Sequence, residues 1–138
     1  MPGRTFLDTN VLVYAQDAGA PAKQRVSREI IAELARSVDG VISTQVMQEF
    51  YVATTTKLGV APLAAKGILK TLNVFDVVQV SPALIQEAID CSILNQLSFW
   101  DSLILAAAAS AGCSTLLSED LNDGQTVLGV TIRNPYRS

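Results

Sequence analysis

The chain has 138 residues, 49% of them hydrophobic and 17% charged, with a formal net charge of −3 and no histidine. That composition supports one buried core and excludes both a disordered chain and a broadly basic nucleic-acid-coating protein. Without histidine there is no Ser-His-Asp or Cys-His catalysis, and two cysteines cannot build a four-thiolate metal site. Any chemistry must rest on carboxylates, lysine, hydroxyls or a metal held by oxygen.

Thr5-Phe6-Leu7 reads as a buried strand ending at Asp8, and Val11 to Tyr14 as a short helix. Pro21 opens a helix to about Val38, with Val26, Ile30, Ile31, Leu34 and Val38 at helical spacing, ended by Asp39-Gly40. Val41-Ile42-Ser43 is a second strand. Thr44 is expected to cap the next helix, which runs to about Leu58 and stops at Gly59. Pro62 to Leu72 is a further helix and Val77 to Val80 a third strand. Ser81 caps a helix from Pro82 to about Leu94; Ser98 caps another from Phe99 to Ala111, ended by Gly112. Thr115-Leu116-Leu117 and Val130-Thr131-Ile132 are the fourth and fifth strands.

Short apolar strands alternating with helices predict an α/β fold with a mostly parallel sheet covered on both faces. Sites in such sheets form beyond the carboxyl ends of the strands, so Asp8 and Asp120 should share one edge. The chain reads as a single domain, 1–138. The opening MPGRTFLDTN lacks the apolar core of a secretory signal, and no run approaches the ~20 apolar residues of a membrane helix. The expectation is a cytoplasmic protein without membrane contact. Cys91 and Cys113 lie among small or apolar neighbours and are expected to be reduced and buried.

Four carboxylates stand out, each with a plainer use beside it. Asp8 is a favoured residue for capping the helix after it. Glu49 has Val46, Val52 and Ala53 at i−3, i+3 and i+4, so it projects from the apolar side of its helix; Arg4 or Lys57 is the plain partner. Ser98-x-x-Asp101 is a loose capping box, and the helix dipole favours an acid there. Asp120 sits with Glu119 and Asp123 in LLSEDLNDGQ, where Glu119 and Asp123 fit an ordinary solvated turn. Two carboxylates ~4 Å apart repel by ~4 kcal/mol at an effective dielectric near 20. If these acids meet, a cation must hold them. Oxygen-only ligands point to Mg²⁺ or Mn²⁺, which suits phosphodiester hydrolysis.

The stretches FLDTNVLVYA, ISTQVMQEFY, LSFWDSLILAAAASAGC, LLSEDLNDGQ and GVTIRNPY together resemble the PIN-domain nucleases, and within them the VapC-type toxin ribonucleases of toxin–antitoxin modules. The resemblance spans nearly the whole chain in the family's order. It implies a PIN-like three-layer sandwich, with a five-stranded parallel sheet of order 3-2-1-4-5 flanked by helices. It implies Asp8, Glu49, Asp101 and Asp120 as the acidic catalytic site, with Asp8, Asp101 and Asp120 holding Mg²⁺ or Mn²⁺ and Glu49 secondary. Thr9 and Asn10 would shape the pocket through hydrogen bonds, and Ser118 and Asp123 belong to the same pocket. An RNA substrate, a cognate antitoxin and a homodimer are further implications.

RNA contact by an acidic chain needs a local basic rim. Lys57, Lys66 and Lys70, with Arg25 and Arg28, are candidates, although a merely solvated face explains them more simply. Trp100 or Tyr51 could stack a base, against a core-packing use of each. A receiver-like phosphorylation module would want paired acids early and a lysine after a late strand, and neither is present. A non-catalytic RNA- or protein-binding scaffold of the same fold stays open.

Overall fold

A computed structural model describes residues 3–137. The elements run β1 Arg4–Leu7, α1 Thr9–Tyr14, α2 Pro21–Ser37, β2 Gly40–Ser43, α3 Thr44–Lys57 and α4 Pro62–Thr71. A 3-10 turn at Leu72–Val74 leads to β3 Asp76–Val78, α5 Pro82–Asn95, α6 Phe99–Ser110, β4 Cys113–Leu117, β5 Thr126–Val127 and β6 Val130–Arg133. The sheet order is β3-β2-β1-β4-β6-β5.

The five expected strands are present, parallel and in the expected order. The sheet departs from expectation by a sixth strand. Thr126 and Val127 pair antiparallel with Thr131 and Val130. The two-residue loop between them, Leu128-Gly129, has φ of 53° and 78°. Positive φ at both loop positions is the tight-hairpin geometry that matches strand twist. Leu-Gly is an unusual pair for it, and a two-residue strand carries no periodicity.

All four residues of β2 and three of four in β1 are buried. A strand buried at consecutive positions is covered on both faces. Helix α6 packs across β4, β2 and β6, while α2 and α3 pack on β2. The core joins Phe6, Leu7, Ile42, Leu105, Leu116 and Ile132 with the apolar sides of these helices. Cys91 and Cys113 are buried free thiols, and burial pushes the Cys113 thiol up to about 11.

Helix ends are set locally, with two differences from expectation. Ser43, the last residue of β2, caps α3 by accepting from Val46 N at 3.3 Å. Thr44 instead accepts from Val80 N at 3.1 Å, tying α3 to the segment after β3. Helix α2 ends on Val38 in the left-handed region, φ 61°, and Gly40 opens β2.

Gly40 is there for space. A Cβ would stand 2.5 Å from the buried Phe75 ring and 3.2 Å from Leu34 Cβ. Gly40→Ala is therefore expected to destabilise the fold by ~1–3 kcal/mol through overpacking, read as an earlier denaturant midpoint at unchanged slope. An unchanged midpoint would show that the ring has room to retreat.

Candidate active site

Parallel pairing brings the strand ends to one edge. Leu7 is in register with Leu117, and Leu117 with Arg133. Asp8 N donates to Leu117 O at 3.1 Å, and Ser118 N to Arg133 O at 3.0 Å. Asp8 and the β4–β5 loop thus leave the sheet side by side, as the strand-end rule requires.

Above this edge lies a groove of about 780 Å³. Asp8, Glu49, Asp101 and Asp120 all line it, as do Thr9 and Asn10. Asp8 arrives from β1, Glu49 from the second turn of α3, Asp101 from the first turn of α6, and Asp120 from the loop after β4.

Asp8 is 9% exposed. Its Oδ1 accepts from Thr9 N at 2.8 Å, so it does cap α1. Its Oδ2 accepts from the buried Ser118 hydroxyl at 2.8 Å and more weakly from Asn10 Nδ2 at 3.4 Å. Burial pushes the Asp8 carboxyl up to about 6; the Ser118 and Thr9 hydrogen bonds oppose this, and the charges of Glu49 and Asp120 add to it. No cation is paired with Asp8 among the described residues. Capping and a position in the groove coexist in one side chain.

Glu49 has neither Arg4 nor Lys57 as a partner. Arg4 pairs with Asp76 and donates to Ala111 O. Glu49 is held by neutral groups: the Thr9 hydroxyl donates to Oε1 at 2.7 Å and Gln45 Nε2 to Oε2 at 3.3 Å. Asp101 N donates to Ser98 Oγ at 3.1 Å, which confirms the cap. Asp120 accepts from Asn10 Nδ2 at 3.2 Å.

Asn10 is the organiser of this edge. Its amide nitrogen reaches Asp8, Ser118 and Asp120, and its oxygen accepts from Glu119 N at 3.1 Å. Ser118 lies beneath, fully buried, and also accepts from Asp120 N at 3.2 Å. The structure does not bring Asp123 into the groove. Its carboxylate accepts from Asn134 N at 2.9 Å and faces Arg137, so it fastens the C-terminal segment.

Two features escape sequence reading. Gln45, buried on the first turn of α3, joins Glu49 to the Trp100 carbonyl at 3.3 Å. Glu119 is no solvated turn residue: Tyr14 donates to its Oε1 at 2.7 Å and Lys23 to its Oε2 at 2.5 Å. Burial opposes its ionisation, yet these two bonds hold its carboxyl below the usual range. The Lys23 ammonium also lies over the rings of Tyr14 and Tyr136, which meet edge to face. Partners so far apart in sequence leave no local signal.

The donors fit a hard divalent ion in kind, being all oxygen, and in charge, since Asp8, Glu49, Asp101 and Asp120 have no ion-pair partner among the described residues. They do not close on one point. Among the described residues no three acidic or thiol side chains stand close enough together to hold one ion. The acids share a groove, with Asn10 between Asp8 and Asp120.

Residues 5–122 match the PIN domain family. No curated protein matches the chain. Solved structures share the fold. A toxin–antitoxin complex from Klebsiella pneumoniae is 17% identical with a TM-score of 0.74, covering 97% of this chain and 99% of that one. DNA-bound VapBC from Salmonella typhimurium is 16% identical with a TM-score of 0.68, covering 96% and 98%. VapC20 from Mycobacterium tuberculosis, a sarcin-ricin loop cleaving toxin, is 19% identical with a TM-score of 0.64, covering 81% and 86%.

Proposed function

The chain belongs to the PIN domain family, and from that premise we propose that it is a metal-dependent endoribonuclease, the toxin of a toxin–antitoxin pair. The observation that carries this reading is the convergence of Asp8, Glu49, Asp101 and Asp120 from four separate segments on one groove. The fold it shares with solved toxin–antitoxin complexes supports the toxin role.

Asp8, Asp101 and Asp120 would hold Mg²⁺ or Mn²⁺, with Glu49 in a secondary position. Such an ion supplies Lewis acidity toward a phosphodiester and toward the water that attacks it. The protein's own residues fix Asp8, Glu49 and Asp120. Ser118 and Thr9 N orient the Asp8 carboxylate. The Thr9 hydroxyl and the Gln45 amide hold Glu49. Asn10 sets the spacing of Asp8 and Asp120. Asp8 must be rid of its proton to bind a cation, which its carboxyl does above about pH 6.

The toxin reading carries an antitoxin and a second copy of the chain as partners. Ile85, Ile89 and Ile93, exposed at successive i+4 positions of α5, offer an apolar stripe for the second copy. The test is incubation of the purified protein with structured RNAs. Cleavage is expected in Mg²⁺ or Mn²⁺, lost with chelator and reduced about 100-fold or more in Asp101→Asn. Expression should arrest growth, with relief by a small DNA-binding protein encoded next to the gene. Equal cleavage by Asp101→Asn, or none by the wild type in any metal, would overturn the reading.

A further inference from the structure

We propose that Trp100 is a stacking platform for an unpaired nucleobase of the bound RNA, and thereby sets which phosphodiester lies over the acids; this rests on the ribonuclease reading above. Trp100 is the chain's one tryptophan. A core role is the ordinary expectation for it, yet the side chain is 63% exposed and lines the groove beside Asp101. Tyr51, the other aromatic candidate, is 38% exposed and does not line it.

The indole is exposed but placed. Phe99, packed against the core, meets it at 5.0 Å between centroids and 75° between planes, so the two rings do not cover each other. Its backbone carbonyl accepts from the buried Gln45 at 3.3 Å. Gln45 also holds Glu49, so one side chain ties the indole's backbone to the acidic site. Trp100 and Asp101 line the same groove from the first turn of α6, so a base on Trp100 brings the strand into the groove that holds Asp101.

Charge makes a platform of this kind necessary. Asp8, Asp17, Glu49, Asp101, Glu119 and Asp120 line the groove; Lys57 is the one basic residue lining it among the described residues, and Lys23 beside it takes up Glu119. Arg25 and Arg28 line a separate depression on α2, and Lys66 and Lys70 line neither. Such a wall repels a phosphate chain, and a divalent ion offsets only part of that. Base–aromatic stacking adds affinity that owes nothing to phosphate charge, and every base has a face to offer.

The sole tryptophan is its own reporter. In the full chain carrying Asp8→Asn, which removes one charge from the groove and leaves the RNA uncut, a single-stranded RNA octamer should quench its emission saturably, and the same sequence as a duplex should not. In cleavage assays Trp100→Ala should raise KM roughly 5- to 150-fold, the range of ~1–3 kcal/mol per stacked base, with little change in kcat. Trp100→Phe should stay within a few-fold of wild type, and both variants should melt with it. Absence of quenching together with an unchanged KM in Trp100→Ala, while the wild type still cuts RNA, overturns the platform and leaves the ribonuclease reading intact. Quenching by RNA that the wild type never cuts supports the platform and overturns the ribonuclease. An unchanged KM with weakened antitoxin binding in Trp100→Ala overturns the platform in favour of a protein contact.

Discussion

Asp8→Asn should melt above the wild type in chelator at pH 8, although it cuts no RNA. Burial raises the Asp8 carboxyl from 3.8 to about 6. Between those values the folded chain keeps a proton that the unfolded chain has released, so stability falls as pH rises through the window. Above about pH 6 the full penalty applies, about 3 kcal/mol at 1.36 kcal/mol per unit. Asparagine removes that charge. It still offers an oxygen to Thr9 N, but its amide would be a third donor toward Ser118 Oγ, which already accepts from Asn10 and Asp120 N. That crowding costs roughly 1 kcal/mol. A net gain of about 1–2 kcal/mol is expected, a few degrees in melting temperature for a chain of this size. At pH 4 the gap should close, because the wild-type carboxyl is then protonated in the fold. A variant that melts below the wild type at both pH values would make Asp8 chiefly a cap.

What the sequence makes legible divides along physical lines. Elements whose signals are local stand where their residues put them: Ser81 and Ser98 cap α5 and α6, and Phe6, Ile42 and Leu116 fill the central strands. Ser43 replaces Thr44 as the cap of α3 because either hydroxyl can serve; the choice falls to tertiary contact, since Thr44 is drawn to Val80. Strand β5 escapes because its hairpin depends on Leu128 adopting positive φ, which sequence gives no reason to expect.

The site divides in the same way. Asp8 and Asp120 are legible from the strand-end rule, and both flank the edge of β1 and β4. Glu119 and Asp123 look alike in LLSEDLNDGQ, yet Lys23 and Tyr14 take the first while Asn134 and Arg137 take the second. No window along the chain holds that information. Mutual repulsion of the acids predicts a cation at a single point. The structure instead spreads the acids around a groove and uses neutral donors, Thr9, Asn10, Gln45 and Ser118, to hold Asp8, Glu49 and Asp120. Those donors keep carboxylates oriented without neutralising them.

That arrangement leaves the buried Asp8 charge without a protein cation among the described residues, so Mg²⁺ should stabilise the wild type strongly at pH 8. A ligand bound only by the folded state adds about 2.7 kcal/mol when present at 100 times its Kd. Asp8→Asn should lose most of this shift, since it removes the buried charge. The shift should also shrink below about pH 6, where protons compete for Asp8. Near that pH about half the chains carry the Asp8 proton, so each ion bound should release about half a proton. Titration calorimetry in two buffers of different ionisation enthalpy reads that release directly, with no need of an RNA substrate. A Mg²⁺ effect equal in wild type and Asp8→Asn, with no proton released, would place the ion away from Asp8. Asp8 would then be left with the repulsion of its neighbours and neutral donors alone.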